Sequence, residues 1–250
     1  MSKPVVNLDD IRTKCSSCSL YQLCLPMGLE TGEMDKLDSI IKRRRVVKKG
    51  EYLYQSGDNF TSLYAVRSGS FKSFTPVQDD AEQIVGFHLP GELIGMDAIS
   101  QHQHQSFSQA LETASVCEIP FVHLEKLSTE VPGLQHHLFS LMSAEIQQEH
   151  CHVTQLAKRT AESRLASFIL DIGKRFQKLG YSGTEFNLSM SRNDIANLLG
   201  LAVETVSRIF THFQEEGLLQ VERKHIVINN SAALQQQALP CPPDESQSAG

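Results

Sequence analysis

Residues 191–210 read SRNDIANLLGLAVETVSRIF, and the positions in this stretch leave little choice of local fold. Ile195 and Leu199 lie one helical turn apart and would face a core, and the small Ala196 beside them lets a second helix cross closely. Gly200 supplies the turn, since a residue without Cβ enters the left-handed conformation freely. Leu201, Val206 and Ile209 close the core from the other side. Position by position this is a helix-turn-helix. Its second helix has two faces. Val206, Ile209, Phe210 and Phe213 form the inner one; Glu204, Ser207 and Arg208, spaced i, i+3, i+4, form the outer one. A glutamate accepts from cytosine N4 and an arginine grips guanine O6 and N7, so this face can read base edges in a major groove. Val203, Glu204, Ser207 and Arg208 are therefore the candidate DNA-contacting residues. The following QVERKHIVI predicts a small hairpin, with Arg223, Lys224 and His225 placed as a wing resting on phosphate.

Charge is distributed to match. The whole chain of 250 residues carries a formal net charge of −6, which taken evenly would disfavour a nucleic-acid partner. From Lys158 to Lys224, however, basic residues outnumber acidic ones. The opening MSKPVVNLDDIRTKC has no apolar core followed by small residues, and no run of about 18 apolar residues occurs anywhere. The expectation is a cytoplasmic protein with no membrane partner, whose thiols stay reduced. No nucleophile–base pair or open metal site is evident, so an enzyme is not expected.

The texture of the chain predicts an α+β fold in successive parts. Residues 1–28 form a cysteine-rich arm with little apolar periodicity, expected to be ordered by what it binds. Residues 29–131 look all-β, a barrel or jelly roll, with turns at Gly50, Gly57-Asp58, Ser68-Gly69 and Pro90-Gly91. LYAVRSGSFKSF reads there as two strands joined at Ser68-Gly69. KRRRVVKK (42–49) reads as an exposed strand edge kept soluble by charge rather than as a nucleic-acid patch. A long helix is expected over residues 132–160, because from Leu134 to about Arg159 there is no Gly or Pro and apolar residues keep helical spacing. Residues 161–230 hold the winged helix-turn-helix, and the polar, Pro-rich residues 231–250 read as a disordered tail.

KCSSCSLYQLC (14–24) places Cys15, Cys18 and Cys24 close together. Three thiolates at this spacing bind one side of a metal centre, but tetrahedral zinc or an iron–sulfur cube needs a fourth ligand. Cys241 lies in the tail. Cys151 lies on the long helix in His150-Cys151-His152, whose side chains point about 100° apart and do not converge. Cys117, in SVCEIP at the end of an expected strand, is the fourth candidate. From the residues alone three readings stand: a cluster, a structural zinc, or a thiol switch using a low-pKa thiolate beside Lys14.

A β-barrel, a long helix and a C-terminal winged helix-turn-helix resemble the cyclic-AMP receptor protein superfamily of bacterial transcription regulators, and GELIG (91–95) resembles its nucleotide-pocket segment. A cyclic nucleotide needs an arginine on its buried phosphate, yet none occurs from Ser68 to Lys158, so no cyclic-nucleotide ligand is expected. The arm, the lone Cys117 in ALETASVCEIP and the recognition segment VETVSR together resemble the fumarate and nitrate reduction regulator (FNR) family. That resemblance implies an oxygen-labile [4Fe–4S] cluster on Cys15, Cys18, Cys24 and Cys117, and a homodimer reading palindromic promoter DNA. It also implies a contact of barrel loops with RNA polymerase, for which Asp79, Asp80 and Glu82 in PVQDDAEQ (76–83) are candidates. Zinc- or thiol-based redox control in the same fold is the alternative.

The long helix is the expected dimer seam, with Met142, Ile146, Glu149 and Val153 on it. Ile146 and Val153, seven apart, suit a two-stranded seam. Glu149 lies between them and would face its own copy across a two-fold axis.

Overall fold

The computed structural model describes residues 15–27, 29–77, 82–158 and 160–238. They fall into two compact units, residues up to 73 with 87–139, and 74–86 with those from 140 onward.

In chain order a 3-10 turn (Cys15–Ser17) is followed by helix α1 (Thr31–Ile40), then strands β1 (Lys42–Val47), β2 (Tyr52–Tyr54), β3 (Ser62–Ser68), β4 (Phe71–Pro76), β5 (Glu82–His88), β6 (Leu93–Ile94), β7 (Phe107–Ala110) and β8 (Ala114–Pro120). Helix α2 (Phe121–Glu130) and helix α3 (Pro132–Lys158) follow. The strands make two four-stranded sheets, ordered β1-β8-β3-β6 and β2-β7-β4-β5. Val47, Leu53, Tyr64, Val66, Phe71, Ile94 and Val116 are buried together and join both sheets in one core. That is the jelly-roll arrangement expected from many short strands. The highly basic β1 is an edge strand, as KRRRVVKK predicts.

Three expectations change here. β3 and β4 are consecutive but lie in different sheets, so Ser68-Gly69 turns a corner and does not close a hairpin. Gly69 has φ +72°, and a Cβ there would sit 2.7 Å from the Ala114 side chain. No other residue fits that corner. The stretch expected to be all-β also contains α1 and α2. α1 opens with a capping box, in which the Glu30 N–H donates to Glu33 Oε2 at 3.0 Å; α2 buries Leu124 and Leu127. Finally, the arm is not without buried apolar residues, because Leu25 is 1% exposed.

In the second unit, α4 (Ala161–Lys178) is capped by Thr160, whose side chain accepts from the Ser163 N–H. A three-stranded sheet, β10-β11-β9, is built from β9 (Glu185–Asn187), β10 (Leu219–Glu222) and β11 (His225–Ile228). α5 (Arg192–Leu199) and α6 (Val203–Glu215) lie between β9 and β10. Leu165, Ile169, Ile195, Val206, Phe213 and Ile226 are almost wholly buried in this unit. Helix α7 (Ser231–Gln237) corrects the expectation of disorder from residue 231: Asn230 caps it through the Ala233 N–H and Leu234 is fully buried. Residues 239–250 lie outside the described set. The Asn197 side chain, at the end of α5, accepts from the Ile84 N–H at 2.6 Å and donates to the Glu82 carbonyl at 2.6 Å.

Candidate functional site

Cys15, Cys18, Cys24 and Cys117 all line one cavity, whose remaining wall is Leu20, Tyr21, Leu25, Pro26, Ile41, Ala65 and Ile119. Successive turns of the 15–27 segment bring its three cysteines round: the Cys18 N–H donates to the Cys15 carbonyl and the Cys24 N–H to the Leu20 carbonyl. The start of the segment is tied to α1 by the Cys15 N–H, which donates to Asp38 Oδ1 at 2.9 Å. Cys117 sits in the middle of β8 rather than at its end, paired with Ala65 of β3, in a strand flanked on both sides. It is the most rigidly held of the four. Among the described residues no three His, Cys, Asp or Glu side chains are grouped so as to hold a metal ion.

An apolar wall around four thiols disfavours their ionised form. Burial pushes Cys15 far above the ordinary thiol range, with the Asp38 carboxylate adding to it. Burial pushes Cys24 up to about 12, and it raises Cys117 against the opposing pull of Arg67. A thiol switch wants the opposite, a depressed pKa. The low-pKa thiolate that the thiol-switch alternative calls for is therefore not what these three residues provide, and Lys14 lies outside the described residues. A bound metal centre reverses the balance, because its positive charge draws thiols into the thiolate form.

The helix-turn-helix has the two faces read from its sequence. Ser191 and Asp194 cap α5 reciprocally, Ser191 N–H to Asp194 Oδ2 at 2.8 Å and Asp194 N–H to Ser191 Oγ at 3.1 Å. Gly200 ends it with φ +62° and hands the chain to α6. Val206, Ile209, Phe210 and Phe213 are buried, whereas Glu204, Ser207 and Arg208 are exposed and Val203 half-buried. Ser207 Oγ donates to the Val203 carbonyl and Arg208 to Thr205 Oγ1 at 3.3 Å, an arrangement that holds the arginine along the helix while it remains exposed. The Arg192 guanidinium stacks 3.3 Å above the Phe210 ring, fixing the start of α5 on the inner face of α6. The wing is one strand larger than expected, since β9 pairs with β11.

On α3, Ile146 and Val153 are 52% and 64% exposed, and Phe139, one heptad earlier, is 62% exposed. Three apolar side chains at a seven-residue interval, open to solvent, make the stripe a two-stranded seam uses. Glu149 is exposed between them and Met142 is half-buried. Sequence reasoning missed Phe139, although the interval could have found it. It also missed the half-buried His137 of α3, whose pKa burial lowers against an opposing pull from the Cys24 backbone. Asp79 and Asp80 lie outside the described residues; Glu82 is exposed at the start of β5. In the segment that resembles a nucleotide pocket, Glu92 Oε2 accepts from the Leu89 N–H, and Ser106 Oγ donates to Asp97 Oδ2 at 2.8 Å.

Comparison with known proteins agrees with this layout. The profile of the cyclic nucleotide-binding domain matches residues 44–130, and that of the Crp-like helix-turn-helix domain matches residues 163–237. Among solved structures, FixK2 from Bradyrhizobium japonicum superposes with a TM-score of 0.74 at 27% identity, covering 80% of this chain and 98% of its own. A barrel, a long helix and a winged helix-turn-helix in this order define a DNA-binding transcription regulator and not an enzyme. The fumarate and nitrate reduction regulatory protein of Escherichia coli K12 is 49% identical over 224 residues, 90% of each chain. The anaerobic regulatory protein of Aggregatibacter actinomycetemcomitans is 50% identical over 220 residues, 88% of this chain and 86% of its own. The chain belongs to the fumarate and nitrate reduction regulator (FNR) family.

DNA binding through this domain gives an expected result for Arg208. Replacing it with alanine removes a guanidinium from an exposed position on α6 without touching the buried face. Affinity for the cognate duplex should fall by about 1–3 kcal/mol, with preference relaxed at one guanine and the melting temperature unchanged. A gel-shift series with single-base variants checks it. A uniform loss over all sequences would make Arg208 a phosphate contact instead.

Proposed function

We propose that this regulator senses oxygen through a [4Fe–4S] cluster held by Cys15, Cys18, Cys24 and Cys117. In this reading it acts in the cytoplasm as a homodimer on palindromic promoter DNA when oxygen is absent. The observation that carries the reading is the convergence of those four thiols on one otherwise apolar cavity. The donor set suits the group: four cysteines are the usual ligands of an iron–sulfur cube, and an apolar wall limits water at the sulfurs. Bound there, such a cluster supplies an oxygen-sensitive cross-link between residues far apart in the chain.

The protein's own part is mechanical. Cys117 is fixed in β8, so its three partners are drawn toward an immobile point and the 15–27 segment is tightened. His137, whose ring feels the Cys24 backbone, stands on α3 two residues before Phe139, the first member of the exposed apolar stripe. Tightening the segment therefore bears on the helix that carries Ile146, Glu149 and Val153. A two-fold pair of recognition helices then reads half-sites about one helical turn apart. In this reading RNA polymerase contacts the stretch 76–83, with Asp79, Asp80 and Glu82 as the candidate residues.

The test begins with purification without oxygen. Iron, sulfide and zinc are counted per chain, air is admitted, and visible absorbance and particle size are followed together. Iron and sulfide in equal amounts, lost in air as dimers become monomers, is the expected result. Zinc without sulfide would favour a fixed structural metal. A chain free of iron and sulfide that still pairs on its target duplex overturns the proposal.

A further inference from the structure

The first helix of the helix-turn-helix ends at Leu199, and the last carbonyls of any helix lack a partner within it. Two of them are met by the turn, where the Gly200 N–H donates to the Asn197 carbonyl and the Leu201 N–H to that of Ala196. The Leu199 carbonyl is met from another helix. Arg164, in the first turn of α4, donates to it from Nη1 at 3.0 Å and from Nη2 to the Leu156 carbonyl at 2.8 Å. Leu156 belongs to the last turn of α3, whose carbonyls have the same need. One planar, always charged guanidinium therefore closes two helix C-termini at once, each carrying the negative end of a helix dipole. The contact is close as well as polar: a Cβ on Gly200 would stand 3.4 Å from Leu156 Cδ2 and 3.8 Å from Arg164 Nη1. Leu156 follows Val153 of the exposed stripe by three residues, and Leu199 precedes Val203, the first residue of α6, by four.

We propose that Arg164 is a positioning residue for DNA recognition, which clamps the end of the dimer helix to the turn ahead of the recognition helix and so fixes how far apart a pair of recognition helices stands. This rests on the reading that the chain binds palindromic DNA as a homodimer. α3 ends at Lys158 and α4 begins at Ala161, and a single covalent connection lets one helix pivot on the other. The fork from Arg164 to Leu156 and Leu199 adds a second tie and removes that freedom. Each base pair inserted between two half-sites rotates one against the other by roughly 35° and moves it by roughly 3.4 Å. A rigid pair of reading helices discriminates sharply among such spacings. A loose pair does not.

The alternative is an arginine that only stabilises its own unit, and two substitutions in the full chain separate the roles. Arg164→Gln removes both fork and charge, whereas Arg164→Lys keeps the charge as a point without the fork. Each protein is prepared without oxygen, sized by sedimentation so that dimers are compared with dimers, and titrated onto three duplexes. One carries a single half-site, one carries two at the cognate spacing, and one carries two with a base pair inserted between them. For Arg164→Gln we expect half-site affinity within about twofold of the parent and cognate affinity about 10-fold weaker, a part of the roughly 10²–10⁴ that a linked second contact contributes. Its penalty for the inserted base pair should shrink by a similar factor. Arg164→Lys should fall between Gln and the parent. Should Arg164→Gln melt early, the comparison of Lys with the parent carries the same test. A parent-like spacing preference in both variants would overturn the inference. So would a loss on the single half-site as large as that on the palindrome, which is the mark of a merely structural role. Failure of the underlying reading would appear in the unsubstituted parent, as one half-site bound as tightly as two.

Discussion

Cys117→Ser, purified and assayed without oxygen, is expected to lose iron, sulfide, dimerisation and tight DNA binding together. Three of the four candidate ligands lie within one short segment, residues 15–24, and could chelate metal among themselves. Cys117 alone belongs to the strand body. Its loss therefore removes the tether while leaving a three-thiol chelate, and iron occupancy should fall by more than the roughly 10–100-fold that follows loss of a supporting partner. The fold should survive. Backbone ladders to β1 and β3 hold β8, and serine differs from cysteine by one atom, so the iron-free chain should melt within a few degrees of the parent. Anaerobic metal counting and light scattering make the measurement. Full iron and sulfide in Cys117→Ser would remove Cys117 from the ligand set and, with it, the proposed link from segment to barrel.

How much of this was legible in the sequence depends on whether a feature is local. The helix-turn-helix could be read residue by residue, because Ala196, Gly200 and the inner apolar set each satisfy a steric demand within a few residues. The long helix was legible for the same reason, since period alone announces it over so many turns. α1 and α2 were not. Each has ten residues, too few for period to outweigh the surrounding strand texture, and α2 starts after Pro120 with no side-chain cap. α7 did leave a signal, Asn230 ahead of Ser-Ala-Ala, but the Pro-rich residues beyond it dominated the composition. The corner at Gly69 was misread because sheet membership is settled by distant partners: β3 pairs with β6 and β8, which no local pattern names. The site divides in the same way. Cysteine spacing revealed the ligand candidates, whereas Asp38 and His137 emerged only from packing.

The seam on α3 gives the second large effect, and here the expected change is a gain. Ile146 and Val153 are apolar and open to solvent, and Glu149 is exposed between them. Across a two-fold axis through this stripe each Glu149 would meet its own copy. Two carboxylates at several Å in a partly dry seam repel by about 1–4 kcal/mol, depending on how much water remains. That is a large fraction of what a short two-stranded seam can supply, so without the tether the pair should fall apart. Glu149→Ala removes the repulsion and leaves Ile146 and Val153 in place, and should tighten the iron-free dimer in air by about 5- to 800-fold, the same range expressed as an equilibrium constant. Salt offers an independent check. Raising ionic strength from about 0.1 M to about 1 M shortens the screening length from roughly 10 Å to roughly 3 Å, so it should strengthen pairing of the parent chain and do little for Glu149→Ala. Ile146→Ala should act oppositely, weakening the dimer with cluster or without. Sedimentation in air at several concentrations decides: if Glu149→Ala stays as monomeric as its parent, repulsion is not what holds the subunits apart.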